Sequence, residues 1–210
     1  MELIKLLEAG ESPALQGIAL SFHTPDASRQ LADILADLPD TNDIAKRLAF
    51  KEGGENKFLE FLITYWGVRA PLTWWKQFDT YRHAMQFVDA SCVQRESTMH
   101  TIMRRPLRQS DFAQPIDDAY LARLNEMIAA KDFEAVVYGL PCGFLQVGVV
   151  KMNYQALRNI LHQREHHKLK GDWGIFCREV VTQVNRPDLL PRLQILTLEG
   201  FYEPQIEGNV

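Results

Sequence analysis

The sequence predicts an α+β fold, a small, mostly antiparallel sheet covered by long helices. Three observations support this. Residues 115–131, 153–164 and 173–184 repeat apolar side chains at helical spacing. Residues 15–22, 62–68 and 146–152 are short apolar runs of strand length. With 210 residues, 46% hydrophobic and 24% charged, the chain can close one core without a metal or a disulfide. One domain over residues 1–210 is expected.

In order, residues 1–8 place Leu3, Ile4, Leu6 and Leu7 as in a short amphipathic helix stopped by Gly10. Residues 15–22 follow as a strand. Thr24-Pro25 then caps a helix over residues 27–38, with Leu31, Ile34, Leu35 and Leu38 on one face. Thr41 caps another helix, through Phe50, that is broken by Gly53-Gly54. A helical turn at Phe58 leads into the strand over residues 62–68. Pro71 opens a helix through about His83, whose Trp74, Trp75, Phe78 and Tyr81 form a core face. Residues 87–100 show little periodicity. The helix over residues 115–131 turns Ile116, Tyr120, Leu121, Leu124 and Met127 inward. The strand over residues 146–152 leads into the helix over residues 153–164. There Asn153 is the cap, and Ala156, Leu157, Ile160 and Leu161 are the buried row. Asn159 and Arg164 read as lying off that row, free for polar partners. The tail after Pro187 is apolar enough to pack.

Composition limits the function classes. Lys plus Arg number 23 against 27 Asp plus Glu, a net charge of −4, which argues against coating long nucleic acid. The three cysteines, Cys92, Cys142 and Cys177, include no CxxC pair and read as free thiols in a reducing compartment. No run approaches the roughly 20 apolar residues of a membrane span. An acidic residue at position 2 and the lack of a long apolar core argue against a signal peptide, so a cytoplasmic protein is expected.

Several patches carry chemistry. Residues 153–164 read Asn-Tyr-Gln-Ala-Leu-Arg-Asn-Ile-Leu-His-Gln-Arg. This resembles the signature helix of the flavin-dependent thymidylate synthases, roughly Asn-x-Arg-x-Leu-x-Asn-Phe-x-x-x-Arg. Asn153, Leu157, Asn159 and Arg164 fall on the pattern, while Gln155 replaces Arg and Ile160 replaces Phe. Upstream, Gly53, Glu55, Phe58, Ala70, Pro71 and Gln77 match the family's Gly-His-Glu-x-x-Phe turn, Ala-Pro and helix. The terminal Arg-His-Arg of that helix becomes Thr80-Tyr81-Arg82. Glu96-Ser97-Thr98-Met99-His100 resembles the family's Glu-x-Ser-x-Arg loop. Thr98 stands for Ser there and His100 for Arg. The resemblance covers residues 53–178 in patches.

The resemblance implies a flavin-dependent transfer of a one-carbon unit from methylenetetrahydrofolate to C5 of a pyrimidine deoxynucleotide, of the dUMP-to-dTMP type. FAD would be the cofactor and NADPH would restore it. Gln77, Glu96, Ser97, Thr98, His100 and Arg164 would hold the nucleotide. Arg164 would also be the catalytic group, stabilising charge on the ring. Asn56, Arg82, Asn153, Gln155 and Asn159 would hold the flavin. A homotetramer with sites at subunit interfaces is implied. The substituted positions keep two alternatives open. One is a pyrimidine nucleotide hydroxymethylase of the same fold. The other is a non-catalytic nucleotide-binding or assembly protein that has lost the flavin.

Simpler readings stand beside these. Taken alone, Asn153, Asn159 and Arg164 are ordinary capping and pairing groups, and Ser97 or Thr98 is an ordinary helix cap. Trp74, Trp75 and Tyr81 fit a core better than a base-stacking platform. His162-Gln163-Arg164-Glu165-His166 matches His-x-x-Glu-His, a zinc pattern, but no third ligand accompanies it and no metal is expected. His166, His167 and Lys168 suit the negative end of a helix.

Overall fold

A computed structural model describes residues 1–24, 26, 28–51, 54–81, 91–168 and 170–191. Its centre is a four-stranded antiparallel sheet of order β1-β2-β4-β3, formed by β1 (Glu2–Ala9), β2 (Ile63–Pro71), β3 (Ser91–Arg95) and β4 (Leu145–Asn153). The two central strands alternate up to their last residues, Pro71 and Asn153, which are both buried. Thr64, Trp66, Val68 and Ala70 of β2 are buried, as are Gln146, Gly148, Val150 and Met152 of β4. That period-two pattern turns one face of the sheet toward the helices. On the other face Ile4, Leu6, Val147 and Val149 remain exposed.

The helices are α1 (Glu11–Phe22), α2 (Leu31–Ala36), α3 (Asn42–Leu48), α4 (Leu72–Asp79), α5 (Thr98–Thr101), α6 (Asp118–Ala129), α7 (Phe133–Gly139), α8 (Tyr154–Arg164) and α9 (Lys170–Gln183). Trp66, Trp74, Trp75, Phe78, Trp173 and Phe176 fill the main core between sheet, α4 and α9. A second cluster, Ile102, Leu107, Phe112, Leu124, Ile128, Val136 and Phe144, sits under α5, α6 and α7. Asp117 and Asp132 cap α6 and α7, accepting from the N–H groups of Tyr120 (2.9 Å) and Ala135 (3.2 Å).

Two expectations are reversed at the start of the chain. Residues 1–8, expected as a helix, form strand β1. A bulge between Lys5 and Leu7 inserts an extra residue, so alternation breaks and the apolar spacing imitates a helix. Residues 15–22, expected as a strand, belong to α1. Gly10, at φ 95°, turns the chain, and Ala14, Ile18 and Ala19 supply the buried face. A Cβ on Gly10 would lie 1.8 Å from the Phe61 carbonyl oxygen, so no other residue fits there. Pro13 falls in the first helical turn, where its missing N–H costs nothing.

Other boundaries move. The helix expected over residues 27–38 shortens to Leu31–Ala36, with Ala27 outside the described residues. The helix from Pro71 ends at Asp79, with His83 outside them. The weakly periodic stretch includes edge strand β3 and the single turn α5. Helix α7 was not expected. Lys131, at φ 58°, closes α6 and starts the turn into it. At the other sheet edge, Gln183 of α9 pairs with the free backbone of β1. It accepts from Lys5 N–H at 2.8 Å and donates to Leu3 C=O at 3.1 Å.

Candidate active site

Helix α8 organises the site. Asn153, only 3% exposed, caps it by accepting from the Ala156 N–H at 2.8 Å. At about 100° per residue, Ala156, Leu157, Ile160 and Leu161 share the buried side. Arg164 continues that side, which corrects the expectation that it lies off the apolar row. Gln155, Arg158, Asn159 and His162 occupy the opposite side. Gln155 and Arg164 are turned from each other by about 180° and separated by about 14 Å along the axis.

On the polar side, Asn56 joins Gln155 and Asn159 around a cavity of about 530 Å³, completed by Phe50, Arg158, His162 and Pro191. Gln155 donates to Asn159 Oδ1 at 3.4 Å, and Asn56 donates to the Lys51 carbonyl at 2.8 Å. Gln155 Oε1 is buried and has no hydrogen-bond partner among the described residues. An unmet buried acceptor costs about 1–3 kcal/mol, so a ligand donor there would be favoured. The cavity falls within the roughly 300–1,000 Å³ range of cofactor pockets. Its amides, cation and aromatic ring suit a flavin nucleotide.

On the buried side, the Arg164 guanidinium lies 4.2 Å from the Trp173 ring centroid and 5.1 Å from that of Tyr81. Its Nε is buried without an acceptor among the described residues. Burial raises the Tyr81 pKa, while the charge and hydrogen bond of Arg164 pull it back. Gln77 accepts from the Trp173 indole N–H at 2.7 Å. Thus Gln77 and Arg164, both expected at the nucleotide, converge on Trp173. Cys177 is buried nearby. Burial, then the Glu165 charge, pushes its thiol up to about 12, leaving it no nucleophile.

The third group is the loop after β3. The Glu96 N–H donates to Val147 C=O at 2.8 Å, which ends the strand pairing. Gln146, 3% exposed on β4, reaches under the loop. Its amide donates to the Glu96 carbonyl at 3.2 Å and to the Thr98 hydroxyl at 2.5 Å. Thr98 is therefore tied down, while the Glu96, Ser97 and His100 side chains face solvent. This group adjoins α4 through Trp75. The Trp75 indole donates to Gln146 C=O at 3.3 Å, and Arg95 lies over its ring at 5.2 Å. Gly148 allows that approach, since a Cβ there would be 3.0 Å from both Trp75 and the Gln94 carbonyl.

Arg82 lies outside the described residues, as does Gly53. Among the described residues no group of three His, Cys, Asp or Glu could hold a metal ion. No helix among them is long and apolar enough to cross a membrane. A cavity of about 560 Å³ between α1 and the α2–α3 segment contains none of the expected site residues. Gln146, Trp173 and Arg158 adjoin the expected site residues and were not among those expected. A lone glutamine in an apolar strand run was the available signal for Gln146.

The fold is that of the flavin-dependent thymidylate synthases. It matches flavin-dependent thymidylate synthase ThyX from Helicobacter pylori, complexed with FAD and dUMP, at a TM-score of 0.67 and 13% identity. That match covers 90% of this chain and 96% of the other. A UMP/dUMP methylase, PolB from Streptomyces cacaoi, bound with 5-Br dUMP, matches at 0.59 and 14% identity, covering 86% and 88%. No family model matches the sequence. No curated protein matches it either. The fold is shared while the sequence has diverged widely.

Proposed function

We propose that this protein modifies C5 of a pyrimidine nucleotide, by flavin-dependent transfer of a one-carbon unit from methylenetetrahydrofolate to a dUMP-type substrate. The observation behind this reading is the meeting of Asn56 with Gln155 and Asn159 around one cavity. About a hundred residues separate them in sequence, and the resemblance assigns all three to the flavin. The shared fold supports it, since the neighbours were solved with FAD and dUMP or with 5-Br dUMP.

When bound, FAD would supply the hydride that reduces the transferred carbon, with NADPH as the source. The chain's own residues would bind, orient and polarise. Asn56, Gln155 and Asn159 would hold the flavin by amide hydrogen bonds. Arg164, fixed against Trp173 and Tyr81, would offer its buried Nε–H to a pyrimidine carbonyl and stabilise negative charge on the ring. Glu96, Ser97 and His100 would meet the nucleotide from the loop that Gln146 supports, and Gln77 would approach beside Trp173. Asn153 acts through its cap, setting the start of α8.

Because Gln155 and Arg164 face opposite ways, a flavin and a nucleotide in contact need residues from more than one copy. We therefore extend the proposal to a homo-oligomer, the tetramer that the resemblance implies.

The test is the visible spectrum of the purified protein, alone, with FAD, and then with dUMP, followed by a one-carbon transfer assay. The expected result is a bound-flavin band that shifts when dUMP is added, with methylated product. A protein that takes up no FAD and forms no C5-substituted nucleotide overturns the reading.

A further inference from the structure

The α8 cavity has a charge pattern that the expected site residues do not explain. Its lining includes one guanidinium, Arg158, and no carboxylate. Arg158 is half-buried and has no ion pair or hydrogen bond among the described residues. A half-buried cation facing an acid-free wall favours an anionic ligand. His162 lies one further turn along the same side, so the polar stripe of α8 runs from amide to cation to imidazole.

Position matters as well. Gln155 stands where the resembling helix has an arginine. Arg158 is three residues on, about 4.5 Å along the axis and turned by about 60°. Its longer side chain reaches the same cavity.

We propose that Arg158 is the anion-binding group of this cavity, holding the phosphates of the bound flavin nucleotide in place of the cation that Gln155 lacks. The inference rests on the flavin reading above.

The test is equilibrium binding of FAD, FMN and riboflavin to the full chain, with Arg158→Gln and Arg158→Lys as variants and circular dichroism to check folding. Losing a charge-assisted phosphate contact should weaken FAD about 10- to 100-fold in Arg158→Gln. Arg158→Lys should recover part of that loss, because it keeps charge but not the planar fork. Riboflavin, which has no phosphate, should bind wild type and Arg158→Gln equally. Added salt should weaken FAD binding more in wild type than in Arg158→Gln.

The inference is overturned if wild type binds FAD and Arg158→Gln binds it equally well. It is also overturned if the variant loses FAD and riboflavin alike, or if it loses dUMP and keeps FAD. A wild-type protein that binds no flavin at all brings down the flavin reading and this inference together.

Discussion

The Arg164 guanidinium is held between two rings and keeps one buried N–H without an acceptor among the described residues. Cation–π contacts of this kind contribute about 0.5–2 kcal/mol, so they position the group without fixing the fold. Arg164→Ala should lower kcat by about 100- to 1,000-fold, the usual cost of losing a preorganised charge stabiliser, with little change in the far-ultraviolet dichroism. Steady-state product formation checks this, and full activity in the variant would remove Arg164 from the mechanism. Cys177 makes a different prediction. Its thiol is raised from 9.0 to about 12 in the folded protein. Between those pH values the folded state keeps a proton that the unfolded state releases. Its stabilising contribution is thus complete below about pH 9 and lost as pH rises toward 12, by at most about 1.4 kcal/mol per pH unit. Urea denaturation of wild type and Cys177→Ala from pH 8 to 11 should show the shallower alkaline decline in the variant.

At the scale of elements, Gln146 links strand to loop. Gln146→Leu removes the donor to the Glu96 carbonyl and Thr98 hydroxyl and leaves both groups without it. The expected stability loss is at most about 1 kcal/mol, read as a slightly lower melting temperature, because the Gln146 Oε1 that leucine also removes is itself buried with no partner among the described residues. If the loop binds the nucleotide, KM for dUMP should rise more than kcat falls. An unchanged KM would make the contact purely structural. Strands β2 and β4 and helices α6, α8 and α9 were legible because each keeps one period over its length. The first two elements were not. In β1 the bulge at Lys5–Leu7 breaks alternation, and in α1 glycine and small residues dilute the helical signal. The edge strand β3 is short and polar, so its identity comes from pairing with β4 rather than from its own pattern.

At the scale of the whole molecule, opposite faces of α8 would serve the two proposed ligands. Copies carrying Asn159→Ala and copies carrying Arg164→Ala should each be inactive. Co-expressed, they should regain activity on the order of a quarter of wild type, because some shared sites combine intact groups from both. Size-exclusion chromatography with light scattering should show the oligomer, and no regain of activity would place each site within one chain. The residue types proposed for the site come from patches of resemblance in the sequence. Their separation onto two faces was not legible there. Asn159 and Arg164 are five residues apart, about 140° around a helix, and only the packing of α8 shows that one faces solvent and the other the rings.

Trp173 adds a practical consequence. Its indole N–H is bound by Gln77 and its face is covered by Arg164, and both partners are assigned to the nucleotide. Trp66, Trp74 and Trp75, the chain's remaining tryptophans, are fully buried. A nucleotide that draws off either partner, as proposed, should change the polarity around Trp173 and, through the ring packed on it, around Trp74. On the proposed reading the protein's own fluorescence would then report occupancy, with no dye attached.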